Sequence, residues 1–324
     1  MHFWKRWQLG LVALVAALGL GLVTAGTAAA AESGWSNWDP GETTADSPSE
    51  AVSTRAGSTC MVWRGSGNDH HIYYVIYTAG TEPGPGAVMS DTYTDSAPTV
   101  VAVDGQFVIF HRTAENNIAY SQNIGDFWTQ WYTVPGSQTR TTPVATEING
   151  QVALAWTGLD GVPRSRMGSL MGSFSPIDWV SSQQAPIMTQ NAPAIINFAG
   201  TLVMFVRNSN QRVAWAWHDG QLDSWGQFSQ VPNSPATNGR PTAAAVGNTI
   251  DVAALSRDES AGGGYTINRW VWNAATGGAG RWSQDPQSWR SRSVPTLMAI
   301  GAVAVWMFLR GMDNAIYQKN FQSF

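Results

Sequence analysis

Short apolar runs set off by glycine turns recur along this chain. Gln106-Phe-Val-Ile-Phe110 follows Asp104-Gly105, Gln151-Val-Ala-Leu-Ala-Trp156 follows Asn149-Gly150, and Thr201-Leu-Val-Met-Phe205 follows Ala199-Gly200. Gly247-Asn248 and Ile300-Gly301 hold the same place further on. Apolar runs of strand length bounded by Asp-Gly or Asn-Gly predict tight β-hairpins, and no window sustains the 3.6-residue spacing of an amphipathic helix. The runs commonly close on an aromatic or Leu, one residue, then arginine: Phe110-His-Arg112, Phe205-Val-Arg207, Leu255-Ser-Arg257 and Phe308-Leu-Arg310. Val62-Trp-Arg64 is an earlier copy, and Gly158 replaces the arginine in the third. A polar turn and another short strand follow (Asn117-Ile-Ala-Tyr120, Arg212-Val-Ala-Trp215, Asn314-Ala-Ile-Tyr317), then tryptophan at Trp128 and Trp131, Trp179, Trp225 and Trp282.

A proline phrase opens each unit. Pro98, Pro143, Pro193, Pro241 and Pro295 lie 45, 50, 48 and 54 residues apart, and Pro48 heads a degraded first copy. Four short strands per period of about fifty residues is the content of a propeller blade. The pattern predicts an all-β chain: a single six-bladed β-propeller of four-stranded blades at roughly 47–90, 91–136, 137–182, 183–232, 233–287 and 288–324. The last copy stops after its third strand, while Trp35-Ser-Asn-Trp38 has the spacing of Trp128-Thr-Gln-Trp131 and no unit of its own. Residues 34–42 are therefore expected to complete the last blade and close the ring, protecting edges that would otherwise be exposed.

Ahead of this region, Lys5 and Arg6 precede an apolar stretch from Leu9 to about Val23 and a small-residue exit ending at Ala31. That order predicts a secretory signal peptide over 1–31, with a retained membrane anchor over the uncharged run from Gln8 to Ala31 as the rival reading, a propeller domain over 32–324 and a secreted, extracellular protein. No second stretch is long and apolar enough to span a bilayer, so no membrane span is expected once the leader is removed. The single cysteine, Cys60, excludes an intramolecular disulfide, and its apolar flanks suggest a small buried hydrophobe.

Composition sharpens the picture. Charged residues make up 12% of the chain at a net charge of −4, against about 25% in ordinary domains. Such a chain lacks the basic footprint of nucleic-acid binding. The low charge agrees with blades that are apolar on both faces, with most of the 17 tryptophans filling gaps between neighbours.

The phrase Phe308-Leu-Arg310-Gly-Met-Asp313-Asn314-Ala-Ile-Tyr317, after Val294-Pro295-Thr and a glycine turn, resembles the blade signature of bacterial lectin-type propellers, the fucose-specific lectins and related sialidase-like repeat proteins. Ser121-Gln-Asn123-Ile-Gly125-Asp-Phe-Trp128 is similar to the Asp-box turn of sialidase-like propellers, with Asn for Asp, and His218-Asp219-Gly220 before Trp225 is a looser echo. The resemblance implies glycans as partners, held in shallow pockets between blades by an aromatic platform and polar neighbours. Under it, Arg112, Arg207, Arg257 and Arg310, with Trp128, Trp131, Trp225 and Trp282, are the candidate ligand contacts. The same arginines could instead tie down the turns that follow them. No complete Arg, Glu and Trp set of a fucose site is present, which leaves the sugar open.

Catalytic phrases are missing. Glu115, Glu147, Asp160, Asp178, Asp251, Asp258 and Glu259 supply carboxylates, but none sits in a recognisable glycosidase arrangement. His70, His71, His111 and His218 show no metal-ligand spacing, and no cofactor motif occurs. Three functions stay open: a non-catalytic lectin-like binder, an exported scaffold meeting cell-surface proteins, and a hydrolase with diverged catalytic residues.

Overall fold

In a computed structural model, residues 36–38, 48–53, 57–78, 84–169, 178–179, 187–219, 224–261, 263–284, 290–300 and 304–322 are described. The expected signal peptide lies outside them. They form six antiparallel sheets, each a meander that runs outward from an inner strand. The inner strands are Ser49–Ser53, Thr99–Val103, Val144–Ile148, Ala194–Phe198, Thr237–Val246 and Thr296–Ile300. Each contacts the next, and the last contacts the first, so the sheets form a closed six-bladed β-propeller. Three blades have four strands. In the second, fourth and fifth, the outer edge is divided between two short strands that both pair with the third strand.

The hairpins follow the turn residues. Asp104 and Gly105 adopt φ of 49° and 77°, Asn149 and Gly150 of 51° and 75°. Left-handed conformation at both central positions gives a two-residue turn whose twist matches its strands. The second strands, Ser58–Arg64, Gln106–Arg112, Gln151–Thr157, Thr201–Arg207, Thr249–Ser256 and Ala304–Arg310, are buried almost throughout, because both faces of a blade meet a neighbour. Six apolar clusters fill the six junctions, including Met61, Trp63 and Val75 of the first blade against Met298, Phe308 and Ile316 of the sixth. Cys60 is a fully buried thiol in one of them.

The ring closes as the sequence implies. Strand Ser36–Trp38 is the outer strand of the sixth blade, antiparallel to Ile316–Gln322, with Ser36 opposite Gln318 and Trp38 opposite Ile316.

A hydroxyl residue four positions before Pro98, Pro143, Pro193, Pro241 and Pro295 pins the crossing between blades. Thr94, Thr139, Thr189, Thr237 and Ser291 are all buried. Thr139 Oγ1 donates to the Thr157 carbonyl at 2.9 Å, with the Thr141 carbonyl also in reach at 3.1 Å, and accepts from the Thr141 amide. Thr94 and Ser291 reach the carbonyls of Arg112 and Arg310 in the same way. Thr139→Val keeps the shape but strands a buried carbonyl. It should lower unfolding stability by about 1–3 kcal/mol, read from a urea denaturation midpoint.

Candidate functional site

The second strands all end at one face of the ring, which also carries the turns into the third strands and the crossings into the inner strands. The strand-end arginines behave differently from blade to blade. Arg112 Nη1 donates to Asn116 Oδ1 at 2.9 Å and Arg310 Nη2 to Asn314 Oδ1 at 2.7 Å. Both asparagines are left-handed, with φ of 64° and 72°, so these guanidiniums brace strained turns. Arg207 does not engage Gln211, which has the equivalent backbone at φ 61°. Its Nε donates to the Thr237 carbonyl at 2.8 Å and its Nη1 to Asn191 Oδ1 at 3.4 Å, so it lies across two blade crossings. Burial lowers its pKa from the ordinary arginine value. Arg257 is exposed, 3.7 Å from Asp258.

The third blade has no strand-end arginine, yet a guanidinium occupies the space. A Cβ on Gly158 would overlap Nη1 of Arg164, which enters from the third strand, Pro163–Gly168. Arg164 forms a two-point pair with Asp160, at 2.9 and 2.7 Å. Partial burial alone would raise the Asp160 pKa, but the hydrogen bonds from Arg164 and the Val162 amide and the Arg164 charge outweigh it, so the carboxyl is held below its ordinary value.

Two cavities open on this face. One, about 400 Å³, lies between the third and fourth blades and is lined by Asp160, Met188, Gln190, Arg207, Asn208 and Gln211 among others. The second, about 330 Å³, gathers residues from the crossings into five inner strands, from Asp95 through Arg140, Gln190 and Arg240 to Val294, and so sits at the mouth of the central channel. Arg112 lines this mouth, and Arg140 and Gln190 border both cavities.

No tryptophan borders either cavity. Three of the candidate tryptophans, Trp128, Trp225 and Trp282, reach back to the preceding blade instead, while Trp131 packs on a side chain of its own blade. Trp128 meets Tyr74 edge-on at 5.3 Å, and Trp131 meets His111 at 4.5 Å. Trp282 Nε1 donates to the Pro232 carbonyl at 3.0 Å. Trp225 is 3% exposed and donates to Ser165 Oγ at 2.7 Å, so no face of its ring is open for stacking. The Asp-box-like segment is a hairpin that turns at Gly125-Asp126, with Asn123 opposite Trp128.

The sequence expectation missed Arg140. It stands three residues before Pro143, where the other described copies have Asp95, Gln190, Asn238 and Arg292, and aligning the units on proline would have marked this position as uniformly polar. Among the described residues, no three His, Cys, Asp or Glu side chains gather as a metal site.

No family model matches the chain, and no curated protein matches its sequence. Solved structures do match its shape. A protein of unknown function from Dyadobacter fermentans superposes with a TM-score of 0.62 at 10% identity, covering 90% of this chain and 100% of that one. A lectin from Burkholderia pseudomallei gives 0.62 at 14% identity, over 85% and 82%. The Aleuria aurantia lectin, described as a six-bladed β-propeller with a novel mode of fucose recognition, gives 0.58 at 11% identity, over 87% and 95%. This chain has the six-bladed β-propeller fold of these lectins.

Proposed function

We propose that this chain is an exported, non-catalytic carbohydrate-binding propeller that takes saccharides in the crevices between blades. The cavity between the third and fourth blades carries the reading. It is concave, about 400 Å³, with Gln190, Arg207, Asn208, Ser209 and Gln211 as hydrogen-bonding groups and Met188 as an apolar contact. That size falls within the range of roughly 300–1,000 Å³ for small-molecule sites. A planar guanidinium held across two crossings suits adjacent sugar hydroxyls. The fold shared with lectins supports the same reading.

Three carboxylates of this face are engaged in structural pairs, Asp160 with Arg164, Asp95 with His70 at 2.8 Å, and Asp313 with Tyr317 at 2.8 Å, which favours binding over hydrolysis. The basic start, apolar stretch and small-residue exit of residues 1–31 support export.

A glycan array followed by calorimetry tests the proposal. The protein should bind a defined subset of saccharides. Arg207→Ala should weaken that binding by about tenfold or more, the loss of roughly one charged hydrogen bond. Absence of binding to any saccharide would sink the reading.

A further inference from the structure

Three arginines at the two adjoining cavities, Arg112, Arg140 and Arg207, lack anions among the described residues. Among the described residues, Arg112 and Arg207 bond only to neutral oxygens, and Arg140 is exposed and makes no hydrogen bond or ion pair. Arg240 adds a fourth guanidinium to the lining. The Nε of Arg112 is buried without an acceptor. Two nearby carboxylates could have balanced this charge, but Asp160 is held by Arg164 at two points and Asp95 by His70. The concentration of positive charge occurs in a protein whose net charge is −4, so it is not a general property of the surface.

Like charges converging on a concave, partly desolvated site repel one another, and an anion seated among them relieves that cost. Guanidinium forks present paired donors whose spacing fits the two oxygens of a carboxylate or a sulfate ester. Arg140 and Gln190 border both cavities. An extended ligand can therefore place its charged group at the channel mouth and a neighbouring ring in the crevice between the third and fourth blades.

We infer that the channel mouth and the adjoining crevice bind an acidic saccharide, with its carboxylate or sulfate held by Arg112, Arg140 and Arg207. The saccharide part rests on the function proposed above; the anion part rests on the arginines alone.

The experiment is calorimetric titration of the full chain and of Arg140→Gln with four probes: a glucuronate-containing oligosaccharide, a sulfated galactan oligosaccharide, their neutral counterparts and inorganic sulfate. Arg140 braces nothing in the fold, so the variant should unfold at the wild-type urea midpoint. The acidic saccharides should bind at least about tenfold more tightly than the neutral ones. Arg140→Gln should remove most of that difference, and added salt should weaken only the acidic ligands. Equal binding of neutral and acidic saccharides, unchanged in Arg140→Gln, overturns the inference and leaves the carbohydrate reading standing. Arg140-dependent sulfate binding without any saccharide binding supports the anion site and overturns the carbohydrate reading. Absence of binding by all four probes overturns the inference, and the glycan array decides the carbohydrate reading separately.

Discussion

Asp251→Ala should destabilise the propeller by about 3–5 kcal/mol, the cost of leaving a buried charge without its partner. Asp251 lies on the second strand of the fifth blade and is fully buried. The Nε of Arg269, on the adjacent third strand, donates to its Oδ1 at 2.6 Å, while Oδ2 has no hydrogen-bond partner. Burial pushes this carboxyl above its ordinary pKa, and the charge and hydrogen bond of Arg269 offset only part of that rise. The guanidinium also lies 4.0 Å from the ring centre of Phe321 in the sixth blade, so the pair spans a junction between sheets. Removing the carboxylate leaves Arg269 against apolar surface with no anion. The double change Asp251→Leu with Arg269→Met should recover most of the loss, because desolvating an ion pair roughly offsets its attraction. Urea midpoints of the two variants measure both effects. A cost below about 1 kcal/mol for Asp251→Ala would show that the pair does not couple the blades.

Acid should weaken the fold through His111. This side chain is 4% exposed, with its Nδ1 3.2 Å from the Arg112 carbonyl. Burial lowers its pKa from 6.5 to about 4, against the smaller opposing effect of that hydrogen bond. Above pH 6.5 the imidazole is neutral whether the chain is folded or unfolded, and it adds no pH dependence. As pH falls from 6.5 toward 4 the unfolded chain takes up a proton that the folded one refuses, so stability drops. The drop is complete below the folded value and amounts to about 3 kcal/mol. His111→Phe fills the same space against Trp131 and should flatten this part of the profile. If stability between pH 7 and 4 is identical in the two proteins, His111 is not held neutral by the fold.

Local rules wrote the architecture into the sequence. Asp104-Gly105 and Asn149-Gly150 specify left-handed turns on their own, and the runs they join are long enough to be read as strands without knowledge of their neighbours. Closure was legible because Trp35-Ser-Asn-Trp38 repeats a spacing found elsewhere and the last unit lacks that element. The binding face was much less so. Arginine marks the strand ends, but whether it braces a turn, as Arg112 and Arg310 do, or crosses to the next blade, as Arg207 does, depends on what the following crossing offers.

Tryptophan was harder still. The partner of Trp225 is Ser165, in another sheet, and no local pattern distinguishes an indole packed between blades from one that faces a ligand. Gly158 shows the same problem in reverse: the third copy has no arginine at the strand end, and the fold brings Arg164 into the vacant space.

The borrowed outer strand decides where the covalent circuit of the torus is interrupted. From Trp38 the polypeptide runs on into the first blade, so every junction between sheets, including that of the sixth with the first, is crossed by main chain. The gap falls instead inside one blade, between two strands laced by antiparallel amide-to-carbonyl bonds. Prising the ring apart there means shearing a ladder, a more cooperative event than sliding one greasy surface off another.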